Sequence, residues 1–304
     1  MYLKHFGLTE KPFSITPDPD FLFFSPKHKG ALAMLEYGVF EQSGITVITG
    51  EVGAGKTTLI RHLLRRIPYD EITVGLISNV HPSLGDLLQW VAIALELHVS
   101  LDDVSNVQIF RRLQDHLIQE YAEGRRVVLI IDEAQNMDRT NLEELRMLTN
   151  INADKDQLLQ IVLVGQPQLF ALLADESMAQ IAQRVTAEYH LKPLDRSETG
   201  EYILNRLSIA GAGDRNLFTA QAMGVIYYFS GGIPRLVNTL CDHALVLAYA
   251  GNIKYVDFGT ALDAVKEKRI GGVRRFCEPP KDAEHTRKVL MVSTGIDIDK
   301  AVND

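Results

Sequence analysis

Two stretches of the chain carry residues whose types and spacing can do chemistry. The first is Gly50-Glu51-Val52-Gly53-Ala54-Gly55-Lys56-Thr57, which fits G-x-x-x-x-G-K-[ST] and is followed by Thr58. Glycines let such a loop turn so tightly that successive backbone N–H groups converge, and converging N–H groups bind phosphate oxygens. At this spacing Lys56 reaches the outer phosphates of a nucleoside triphosphate, and the Thr57 hydroxyl takes one position on Mg²⁺. Gly50 to Thr58 are therefore the candidate binding residues, with ATP and Mg²⁺ as the expected ligands. The second stretch is Val127-Val128-Leu129-Ile130-Ile131-Asp132-Glu133. Its apolar run reads as a buried strand, and two carboxylates emerge at the C-terminal end, where open α/β sheets place their ligands. Asp132 is the candidate second metal-binding residue, holding Mg²⁺ through its water shell. Glu133 is the candidate base, since hydrolysis needs a group that orients water and accepts its proton.

Three further polar residues bear on a triphosphate. Gln166 follows the apolar run Leu158–Gly165, at the end of what reads as a strand beside Asp132. Arg184 precedes a short strand pattern, and Arg235 sits in Gly232-Ile233-Pro234-Arg235. From spacing alone each reads more readily as a surface residue than as part of a site. The transition state of phosphoryl transfer nevertheless favours added positive charge, including an arginine supplied by a neighbouring subunit.

The elements that must position these residues follow from periodicity. Strands are expected at Ile45–Thr49, Ile72–Ser78, Arg126–Ile131, Leu158–Val164 and Ala187–Leu191, and helices at Lys56–Arg66, 83–97, 106–123 and 140–151. Alternation of this kind means a parallel sheet flanked by helices, an α/β fold. Ile109, Leu113 and Leu117 fall at four-residue steps and predict the buried stripe of one helix. After Lys192-Pro193-Leu194 the strand signals stop. Helical patterns at 195–210, 219–229, 233–250 and 255–268 predict a small all-helical domain.

The expected organisation has four parts: an extended N-terminal segment over 1–30 packed on the core, an α/β domain over 31–194, a helical domain over 195–269, and a linker and flexible tail over 270–304. The first part is rich in aromatics, including Phe6, Phe13 and Phe21, which speaks against disorder. The last twenty or so residues are polar and predict no structure.

With 304 residues, 46% of them hydrophobic and 23% charged, the composition is that of a globular protein. The net charge of -8 argues against a chain that coats nucleic acid, while leaving room for a local basic patch at Lys266, Lys268, Arg269, Arg274 and Arg275. Cys241 and Cys277 cannot form a disulfide framework, which points to a reducing cytoplasm. No signal peptide is expected from the N-terminus, and no apolar run approaches the ~20 residues of a membrane span. Peripheral docking at the inner membrane stays open.

Together these motifs resemble the ExeA/GspA-type AAA+ ATPases, above all the branch associated with exosortase and polysaccharide-export loci. The likeness spans about residues 1–265. It is carried by His5-Phe6-Gly7-Leu8, Lys11-Pro12-Phe13, Thr16-Pro17-Asp18-Pro19, Gly50–Thr58, Ile131-Asp132-Glu133-Ala134-Gln135-Asn136, Leu142-Glu143-Glu144-Leu145-Arg146, Val164-Gly165-Gln166-Pro167 and Gly231-Gly232-Ile233-Pro234-Arg235. The resemblance implies an AAA+ P-loop fold with a helical lid. It places Gln166 at sensor 1 and Arg235 at sensor 2, and makes Arg184 a candidate arginine finger acting across subunits. It also implies that Ser25-Pro26-Lys27-His28 lines an adenine pocket. A homo-oligomeric ATPase acting as an assembly switch or motor in bacterial secretion or exopolysaccharide and envelope export is the function it implies. The alternative is a regulator of a DNA transaction such as transposition.

Overall fold

The computed structural model describes residues 2–41, 44–78, 80, 86–97, 105–153, 156–268, 280 and 282–303. The chain forms two compact units, one of residues 28–51 and 56–191 and the other of residues 1–27, 52–55 and 192–304.

The α/β unit is built on five strands in the order β2-β3-β6-β1-β7, all parallel. They are β1 (Ile45–Gly50), β2 (Ile72–Ile77), β3 (Arg126–Ile131), β6 (Leu159–Gly165) and β7 (Val185–Leu191). The central strands β1 and β6 are buried at every residue, as strands covered on both faces must be. The edge strand β7 buries only Ala187 and Leu191, because one of its sides has no neighbour. A two-stranded hairpin, β4 (Asn152–Ala153) with β5 (Asp156–Gln157), lies just before β6 in the chain.

The helices of this unit are α2 (Pro26–Phe40), α3 (Lys56–Leu64), α4 (Leu87–Ala94), α5 (Asn106–Ala122), α6 (Arg139–Leu148), α7 (Pro167–Leu173) and α8 (Ala179–Ala182). Ile109, Leu113 and Leu117 form the buried stripe of α5 expected from their spacing. A capping box, in which the Asp138 carboxylate accepts from Asn141 N–H at 2.8 Å, starts α6. Of the helix expected over 83–97, Leu87–Ala94 form α4, Leu95–Leu97 fall beyond its end, and residues 83–85 lie outside the described residues. Periodicity predicts no element over 167–186, where α7 and α8 form. Their few turns are too short for a helical period to stand out, although Pro167 at the first turn of α7 is a start signal.

The second unit is helical: α1 (Tyr2–Phe6), α9 (Arg196–Ile209), α10 (Ala220–Ser230), α11 (Pro234–Ala250), α12 (Phe258–Glu267), α13 (Ala283–Thr294) and α14 (Ile298–Asn303). Its core joins Phe6, Phe13 and Phe21 of the N-terminal segment to Ile203, Phe218, Leu240 and Leu245. Asn238 Nδ2 donates to Ser14 O at 3.0 Å and the buried Arg206 donates to Pro12 O, so the extended segment is tied down by α9 and α11.

The C-terminal residues depart from the expectation of no structure. α13 and α14 bury Leu290 and Ile298 in the same core, and Leu290 packs where Gly224 of α10 leaves room. Tyr228 Oη donates to Asp299 at 3.0 Å, Tyr227 Oη donates to Asp282, and Arg287 Nε donates to Asp297 at 3.0 Å. Leu290 lies in the apolar run Val289–Val292, of which Met291 and Val292 are exposed, so the run does not by itself mark a buried helix face. Partners on α10 supply the rest of the stabilisation.

Candidate nucleotide site

Because β6 pairs with both β1 and β3, the residues just past these three strands lie side by side at one end of the sheet. Gln166 therefore falls between the strand that leads into the glycine loop and the strand that ends at Asp132, as its sequence position predicts. The loop itself needs positive φ at Gly53 (83°) and Gly55 (106°), which only glycine adopts readily. Beyond it α3 begins at Lys56, so its unpaired N–H groups and positive dipole end face the loop.

Lys56 is buried, and its Nζ donates to Gly50 O at 2.7 Å and Glu51 O at 3.0 Å. Burial pulls its pKa below the ordinary lysine value, against the opposing pull of Glu133, Asp132 and Glu51. Thr57 Oγ1 donates to Asp132 Oδ2 at 2.7 Å. Burial raises the Asp132 pKa above the ordinary aspartate value, opposed by the Thr57 hydroxyl and by the Glu133 N–H, which donates to Oδ1 at 2.9 Å. A hydroxyl and a carboxylate oxygen in contact beside a phosphate-binding loop are the donor set a hard divalent cation takes, so the residues fit Mg²⁺.

Glu133 has φ 53° and ψ 35°, a left-handed conformation that costs a non-glycine residue roughly 1–2 kcal/mol. Its carboxylate accepts two side-chain amides on the same oxygen, Oε2: Gln166 Nε2 at 3.2 Å and Gln135 Nε2 at 2.7 Å. Gln135 also accepts from the Gln166 backbone N–H at 2.8 Å through Oε1. The sequence assigns Gln135 no part in the site. It appears there only within the motif that follows Asp132, and an isolated glutamine in a turn carries no signal of what it touches.

Lys56, Thr57, Asp132, Glu133 and Gln166 thus come together. Arg184 lies elsewhere in the same unit: its guanidinium donates to Thr149 O at 3.1 Å, to Thr149 Oγ1 at 2.9 Å and to Asn150 Oδ1. In the helical unit, which includes residues 52–55, Arg235 opens α11 and its backbone N–H donates to Gly53 O at 3.2 Å. Its side chain is exposed. Lys27, expected near an adenine pocket, pairs with Glu198 at 2.5 Å and donates to Pro193 O at 2.9 Å. Of the basic cluster, Lys266 is exposed at the end of α12, while Arg269, Arg274 and Arg275 lie outside the described residues, as does Cys277. Cys241 is fully buried. No group of three or more His, Cys, Asp or Glu that could hold a metal occurs among the described residues, and none of their helices is long and apolar enough to cross a membrane.

Residues 40–173, which run from the end of α2 through α7, match the AAA domain family. Over 276 residues the chain is 42% identical to general secretion pathway protein A of Aeromonas hydrophila. It is similar to the ExeA/GspA-type AAA ATPases over nine tenths of its length. The match takes in 90% of this chain and 49% of that relative, so the chain spans about half of the relative's length. Solved structures give the fold independently. CDC6P from Pyrobaculum aerophilum aligns with a TM-score of 0.62 at 16% identity, covering 99% of this chain and 88% of its own. The ORC1 protein of Aeropyrum pernix, solved in complex with DNA, gives 0.62 at 16% identity over 97% and 81%. The Thermotoga maritima RuvB Holliday junction branch migration motor gives 0.52 at 16% identity over 96% and 88%. At such identities the likeness concerns the AAA fold alone.

Proposed function

We propose that this chain binds ATP with Mg²⁺, hydrolyses it, and works as an oligomeric assembly switch or motor in bacterial secretion or the export of exopolysaccharide and envelope polymer. The observation that carries the hydrolytic reading is the Thr57–Asp132 contact beside Lys56, with Glu133 held by Gln166 at the same sheet end. Thr57 and Asp132 would hold the cation. When bound, Mg²⁺ neutralises phosphate charge and fixes the phosphate oxygens. Lys56 Nζ exchanges its two loop carbonyls for phosphate oxygens, which offer it full negative charge in place of dipoles. Glu133 orients a water and accepts its proton, and Gln166 contributes amide donors close to the reacting phosphate. Arg184 from a neighbouring subunit and Arg235 are the candidates to offset the negative charge of the transition state.

The test is Glu133→Gln, which keeps the shape and removes the base. We expect it to bind ATP with ordinary affinity and to turn over at least a hundredfold more slowly. Turnover near the parent rate would overturn the assignment of Glu133. The pathway reading is supported by the relative's name and the 42% identity to it. Since the DNA-associated proteins share only the fold, a DNA transaction has weaker support. A steady-state ATPase rate raised severalfold by duplex DNA would reverse that ranking.

A further inference from the structure

We infer that Gln135 is a positioning residue for hydrolysis, a side-chain clasp that fixes the Glu133 carboxylate against the end of β6; the inference rests on the hydrolytic reading above. Four observations converge on it. Glu133 sits in a left-handed conformation, which persists in a folded chain when surrounding contacts over-determine it. Gln135 Nε2 donates to Glu133 Oε2 at 2.7 Å, a closer contact than the 3.2 Å from Gln166 Nε2. The other end of the same amide is also used, because Gln135 Oε1 accepts from the Gln166 peptide N–H at 2.8 Å. Lastly, Gly165 is where the amide crosses the strand: a Cβ there would stand 2.9 Å from Gln135 Oε1 and 3.2 Å from Gln135 N. A residue with a side chain at 165 would push the clasp aside.

The arrangement has a mechanical consequence. Glu133 is joined to the sheet through β3 by its own backbone, and through Gln135 and Gln166 to β6, the neighbouring strand. Both amides go to Oε2, which restrains the position of the carboxylate. Holding a base within hydrogen-bond reach of one water is worth orders of magnitude in rate, and a displacement of about 1 Å can cost about 10²-fold. A glutamine serves here because it offers a donor and an acceptor at the end of one side chain. Glutamate would keep the acceptor and set a like charge against Glu133. Methionine would keep the length and lose both bonds.

The experiment measures kcat and KM for ATP, thermal unfolding, and hydrogen exchange at the Gln166 amide in the full chain and in Gln135→Met, Gln135→Glu, Gly165→Ala and Glu133→Gln. We expect Gln135→Met to lower kcat tenfold to a hundredfold, with KM and Tm close to the parent. Gln135→Glu should be no better than Gln135→Met. Gly165→Ala should reproduce the loss, and combining it with Gln135→Met should add little, since both remove one contact set. Exchange at Gln166 should quicken at least tenfold in Gln135→Met, with or without nucleotide. Parent-like kcat in Gln135→Met beside an inactive Glu133→Gln would overturn this inference alone. So would a loss that tracks Tm and KM, which marks a packing role. An active Glu133→Gln would take down the hydrolytic reading and this inference with it.

Discussion

Thr57 and Asp132 touch at 2.7 Å although 75 positions separate them in the chain, and the proposed Mg²⁺ site rests on that contact. Asp132 is read as holding Mg²⁺ through its water shell, so Asp132→Ala should weaken Mg²⁺ binding about 10–100-fold. A titration of ATPase rate against Mg²⁺ would show the midpoint move to higher concentration, and an unmoved midpoint would remove Asp132 from the metal site. Lys56 has a more general task. Its buried ammonium already lies against the carbonyls of Gly50 and Glu51. Lys56→Ala should lose ATP binding by at least a hundredfold in a direct binding measurement. Micromolar affinity in that variant would sink the assignment of the loop.

At the scale of elements, the sheet is closed from outside by ion pairs that have no part in the site. Glu120, in the last turns of α5, accepts from Arg125 Nε at 2.9 Å and Arg125 Nη2 at 2.6 Å, and from Thr73 Oγ1 of β2. The Arg125 hydrogen bonds, opposed by burial and helped by Thr73, hold its carboxyl down to about 2. A carboxylate whose pKa is depressed in the folded state adds stability above its unfolded value of about 4.3, and that stability is lost as pH falls from there towards 2. Glu120→Gln should therefore lower stability by about 1.5–3 kcal/mol at pH 7 and flatten the dependence of Tm on pH below about 4.3. An unchanged slope in thermal melts over that window would show that the pair contributes nothing.

For the whole molecule, the proposed mechanism requires a second copy to complete the site. Arg184 is held by Thr149 and Asn150 of its own chain, away from the cluster of Lys56, Asp132 and Glu133. If it serves a neighbour, Arg184→Ala should be inactive alone, with ATP binding intact. Mixing it with Lys56→Ala should then restore part of the turnover, because the intact Arg184 of one variant meets the intact loop of the other. No recovery at any mixing ratio would place the whole mechanism in one subunit. The helical unit poses a different question of assembly, since its core draws on both ends of the chain: Phe6, Phe13 and Phe21 from one, Leu290 and Ile298 from the other.

The sequence by itself determined the parts whose physics is local. The glycine loop, the lysine and threonine after it and the strand ending in Asp132-Glu133 each act within a few residues, so spacing alone exposed them. Continuous apolar runs likewise marked the buried strands, and four-residue steps marked α5. Tertiary structure decided what depends on pairing between distant segments. That Gln166 faces Glu133 follows from β6 lying beside β3, and that Gln135 can cross Gly165 follows from the same pairing. The helices of the C-terminal residues pack on Gly224, Tyr227 and Tyr228 of α10, partners that lie 55 or more positions away and that a reading of 283–303 alone does not contain. Where a side chain's partner is remote in sequence, its role is set by the fold that brings the two together.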